Sequence, residues 1–76
     1  MSKLTSEEFT KLHTQAIKLS GLGLRLGQAY MVTLCGINND LYDKVRNTEN
    51  DCFYNDDKIK NLLNFLTNLI VSCLNF

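Results

Sequence analysis

The sequence predicts an all-α protein, a compact bundle of three main helices and one short helix within a single domain over residues 1–76. Three observations predict this. Apolar residues recur at helical spacing in three separable segments, and no apolar–polar alternation of the strand type runs beyond four residues. A hydrophobic content of 45% is that of a globular chain, while 76 residues leave room for one modest core. The core is expected to join Phe9, Leu12 and Ala16 to Tyr30, Leu34, Leu62, Leu66, Leu69 and Ile70.

The first helix is expected over 6–19. Thr5 followed by Glu8 is a capping-box pair, and Glu7 and Glu8 lie where the helix dipole favours anions. Phe9, Leu12, His13, Ala16 and Ile17 share one face; Glu7, Thr10, Lys11, Thr14 and Lys18 share the other. Ser20 and Gly21 mark the end, because glycine readily takes the left-handed C-cap conformation.

The second helix, over 24–37, is apolar on every side and so is expected to be buried on every side, packed against the C-terminal helix. Gly27, Ala29 and Gly36 would allow close contact. Its polar exceptions, Arg25 and Gln28, are either solvated or paired with acids downstream. Gly21, Gly23 and Gly27 are spaced one residue off the dinucleotide-binding fingerprint and follow a helix where that motif needs a strand, so they read as turn and contact glycines.

Asn38, Asn39 and Asp40 supply a turn and an N-cap for a short helix over 40–46, with Leu41, Tyr42 and Val45 inward and Asp43, Lys44 and Arg46 outward. Residues 47–55 are irregular by composition, and Asp56 is expected to cap the last helix, 57–75. One half of that helix is apolar from Ile59 to Phe76, and the other carries Lys60, amides and hydroxyls, with Val71 the lone apolar residue there. So wide an apolar face should touch two or more elements. In so small a chain it also suggests a homodimer through the C-terminal helix.

Eight basic residues balance eight acidic ones, so no global field steers the chain to nucleic acid or membrane. The charge is unevenly placed: from Asp40 to Asp57, six acids face only Lys44 and Arg46. Cys35, Cys52 and Cys73, odd in number and scattered, form no disulfide framework and point to a reducing cytoplasm. The polar Met1 to Thr14 stretch is not a signal peptide, and Leu19 to Asn39 carries Arg25, Gln28 and four glycines against a membrane span.

Catalytic chemistry finds little support. His13 has no ligand or carboxylate at useful spacing and reads as a packing residue, and Cys52 sits beside acids that disfavour its thiolate. A calcium-loop template laid on Asn47, Glu49 and Asp51 fails where Cys52 replaces the glycine and Lys58 the bidentate glutamate. No catalytic, metal or cofactor residue is assigned, and the chain is not expected to be an enzyme.

Arg25-x-Gly27-Gln28, then Leu34 and Leu41, then Thr48-x-x-Asp51-Cys52-Phe53-Tyr54-x-Asp56-x-x-Ile59, resembles a pattern in short proteins of phages, prophages and plasmids. That group often has proline where this chain has Cys52 and Lys60. The resemblance implies a mobile-element origin in a bacterial host, and it brings no catalytic residue with it.

The expected function is therefore a phage-type protein-binding module that occupies a basic surface, in its most concrete form an inhibitor of a bacterial defence complex such as a CRISPR–Cas effector. Glu49, Asp51, Phe53, Tyr54, Asp56 and Asp57 are the expected partner-binding residues, since acids beside aromatics suit such an interface. The alternative is a small helical nucleic-acid-binding or regulatory protein using Lys3, Lys11, Lys18 and Arg25. Against it, the second helix offers Leu, Ala and Val where a recognition helix needs base-reading side chains.

Overall fold

The computed structural model describes residues 3–71. In order these form β1 (Leu4–Thr5), α1 (Ser6–Gly21), α2 (Leu26–Ile37), α3 (Asn39–Val45), a 3-10 turn (Asp56–Lys58), α4 (Ile59–Thr67) and β2 (Ile70–Val71). The protein is a compact all-α bundle, with one addition that periodicity did not foretell. The two short strands pair in parallel, Leu4 beside Ile70 and Thr5 beside Val71.

Helix α1 starts as its sequence dictates. Thr5 Oγ1 accepts from the Glu8 amide, and Glu8 Oε1 accepts from the Thr5 amide, both at 3.0 Å. It ends two residues later than expected, because the terminating glycine is Gly23 (φ +119°) and not Gly21. Gly23 N donates to Ser20 O and Leu24 N to Leu19 O, the paired bonds of a Schellman cap, with Leu19 and Leu24 both packed on the core.

Helix α2 packs chiefly against α1 and α3, and it meets the C-terminal segment mainly at the 3-10 turn and not along α4. Ala16 of α1 and Ala29 of α2 are both fully buried. Burial on every side is also corrected, since Val32 is 44% exposed and an added Cβ at Gly36 would meet open space. Asn38 caps α3 by accepting from Leu41 N, and its Nδ2 donates to Lys3 O, so one side chain starts a helix and holds the N-terminal strand.

The expected helix over 57–75 is shorter. Its first turn is 3-10, capped by Asn55 instead of Asp56, and α4 ends at Thr67. Thr67 Oγ1 bonds back to Leu63 O, which weakens continuation of the helix. The β-branched Ile70 and Val71 then pair with β1; residues 72–75 of the expected helix lie outside the described residues. Leu62 and Leu66 carry α4 into the core, where they meet Leu12, Leu34, Leu41 and Val45 along with Leu4 and Cys52 from outside the helices. Phe9, Leu69 and Ile70 pack against this core half-buried.

Candidate functional site

The loop between α3 and α4 holds all six expected partner-binding residues, and the start of α2 fixes its position. Arg25, the N-cap of α2, makes no capping bond with its own side chain. Asp56 supplies the cap from 29 residues away, its Oδ1 accepting from Gly27 N at 3.0 Å and from Arg25 Nη1 at 3.4 Å. The carboxylate thus lies at a helix N-terminus, where the backbone dipole favours negative charge. Arg25 Nη2 donates to Phe53 O at 2.7 Å, and Cys52 Sγ donates to Gly27 O at 3.3 Å. Gly27 is required by this approach: a Cβ there would overlap Cys52 O and stand 2.7 Å from Asp56 Oδ1. Of the two roles open to Arg25, pairing with the acidic segment is the one observed. The close approach at Gly27 is made by this loop, not by another helix.

Asp51 folds the loop itself. Its Oδ2 accepts from Asn47 N at 2.8 Å and its Oδ1 from Phe53 N at 2.9 Å. Asn47 turns the chain at φ +64°, a conformation asparagine tolerates better than most residues. Two of the six expected contact residues, Asp51 and Asp56, therefore hold the loop together. Glu49 and Asp57 are exposed, and among the described residues neither carboxylate enters an ion pair or accepts a hydrogen bond. Phe53 is half-buried against the core, whereas Tyr54 is 85% exposed, its ring edge-on to Phe53 with centroids 4.8 Å apart.

Between this loop and α3 lies a cleft of about 160 Å³. Buried Met31 contributes from α2, Tyr42 and Arg46 from α3 and its C-cap, and Asn47, Asp51, Phe53 and Tyr54 from the loop. Small-molecule and cofactor sites usually occupy about 300–1,000 Å³, so the cleft suits one side chain better than a metabolite. Sequence reasoning missed the contribution of Tyr42 and Arg46. No local signal in the sequence points to it, since Arg46 leaves the helix in an extended C-cap conformation beside the loop.

Other chemistry-bearing side chains are engaged in packing. His13 Nδ1 and the Tyr30 hydroxyl share a 2.7 Å hydrogen bond, and His13 stands edge-on to both Phe9 and Tyr30. The Cys52 thiol is pushed up to about 11, by burial first and then by Asp51 and Asp56, against a lowering hydrogen bond from the backbone. Burial, and then Cys52, also raise Tyr30. Among the described residues no three His, Cys, Asp or Glu side chains group as a metal site, and no helix is long and apolar enough to cross a membrane. Comparison with known protein families, with curated proteins and with solved structures finds no match for the chain.

Proposed function

We propose that this chain is a small protein-binding module that presents its 47–57 loop to a basic surface on a partner and catalyses no reaction of its own. One observation carries the reading: Tyr54, a large aromatic exposed over 85% of its surface, stands at a side-chain-sized cleft on a loop whose Glu49 and Asp57 carboxylates face solvent. Exposed aromatics on a rigidly held backbone are the usual anchors of interface hot spots, and surrounding charge steers the encounter. The clamp of Arg25, Gly27 and Asp56 holds this loop in place before any partner arrives, which lowers the ordering cost of association.

The resemblance to short phage, prophage and plasmid proteins supports a finer version. The chain acts in the cytoplasm of a bacterial host as an inhibitor of a defence complex such as a CRISPR–Cas effector, whose guide–target channel is positively charged. The acidic loop suits that channel and opposes direct binding to nucleic acid. The test is retention from a bacterial lysate on the immobilised chain, compared with Tyr54→Ala. The parent should hold a discrete basic protein that the variant loses while keeping its melting temperature. Equal retention by both would refute the assignment of this surface.

A further inference from the structure

The protein-binding reading leaves open what enters the cleft. Its size limits the answer to a group of about benzene to side-chain dimensions, since a 150 Å³ cavity accepts a benzene-sized guest. Its walls narrow it further. Tyr42 from α3 and Phe53 and Tyr54 from the loop line it, and aromatic rings present a negative face to a cation. Asp51 contributes a carboxylate whose two oxygens each accept one backbone amide, leaving further lone pairs on both. The surrounding segment, Asp40 to Asp57, has six acids against Lys44 and Arg46.

We infer that the cleft is a clasp for a cationic side chain, arginine or lysine, of the protein partner, and this inference rests on the protein-binding reading. Arg46 is, among the described residues, the cation on the lining, and it opposes such a guest. Its Nε lies 3.7 Å from Asp43 Oδ1, so a carboxylate outside the cleft answers part of its charge. The sign of the Arg46 effect therefore separates a cation site from an anion site, for which Arg46 would be the essential ligand.

The experiment titrates the full chain, labelled with nitrogen-15, with N-acetyl-arginine amide, its neutral isostere N-acetyl-citrulline amide, and N-acetyl-glutamate amide. The arginine amide should shift the Tyr42, Asn47 and Phe53 amide resonances saturably. The citrulline compound should bind roughly tenfold more weakly, the loss expected when a partly desolvated cation–π contact is removed. Tyr54→Ala should weaken the arginine amide several-fold, and Arg46→Gln should tighten it. Equal binding of citrulline, preference for glutamate, loss of binding in Arg46→Gln, or no saturable shift at millimolar concentration would each overturn the clasp. A null titration beside a Tyr54→Ala variant that still loses its partner would remove the cation and leave the interface reading intact.

Discussion

Gly27→Ala sets two effects of opposite sign against each other. Alanine in a helix is favoured over glycine by up to about 1 kcal/mol, so an unobstructed Gly27 predicts a more stable protein. At this position the added Cβ would meet the Cys52 carbonyl and Asp56 Oδ1, and the first of these is backbone. Forcing an extra carbon into a close-packed site costs about 1–3 kcal/mol. If the loop retreats, the 3.0 Å bond from Gly27 N to Asp56 loosens, and hydrogen bonds to charged groups contribute about 1.5–3 kcal/mol. The balance is a loss of about 2–4 kcal/mol, a large fraction of the stability of a domain this size. Urea unfolding followed by far-ultraviolet circular dichroism measures it, and the melting temperature should fall by about 10 °C or more. A Gly27→Ala protein as stable as the parent, or more so, would refute the close approach and the clamp built on it.

Thr33 Oγ1 is buried and, among the described residues, has no hydrogen-bond partner, so Thr33→Val should be neutral or stabilise by about 1 kcal/mol in the same assay. A loss would reveal a bond to that hydroxyl. The Cys52 thiol is raised from 9.0 to about 11 in the folded protein, so its contribution is present below pH 9.0 and is lost as pH rises toward about 11. Tyr30, also raised, acts in the same direction, and Cys52→Ala should flatten the stability profile in that window. A homodimer through the C-terminal segment is expected because Leu63, Phe65 and Leu69 remain half-buried; sedimentation of a monomer at high micromolar concentration would remove it.

What could be read from the sequence follows the range of the interactions concerned. The start of α1 was legible because Thr5 and Glu8 satisfy each other within one turn. Its end was misplaced by two residues because Gly21 and Gly23 both permit a terminating conformation, and only the path of Leu24 back onto Leu19 chooses between them. The end of α4 was not legible, since it depends on Leu4 and Thr5 taking the other side of a strand pair more than sixty residues away. Asp56 was read by local rules as the cap of the helix beside it. Those rules hold for Asn55, while Asp56 reaches α2, whose own N-cap residue, Arg25, has no acceptor to offer. That poor cap was the one clue in the sequence that α2 needs a carboxylate from elsewhere. The candidate surface was legible as a segment but not as a division of labour, because six acids look alike until the fold shows that Asp51 and Asp56 accept backbone amides.

That division of labour is the central claim, and the double variant Glu49→Gln with Asp57→Asn tests it most directly. Both carboxylates are exposed, so their neutralisation should leave the melting temperature nearly unchanged. Association with the captured partner, followed as a function of ionic strength, should become slower at low salt and lose much of its salt dependence. An unchanged association rate with unchanged salt dependence would contradict the account and assign the whole loop to structure.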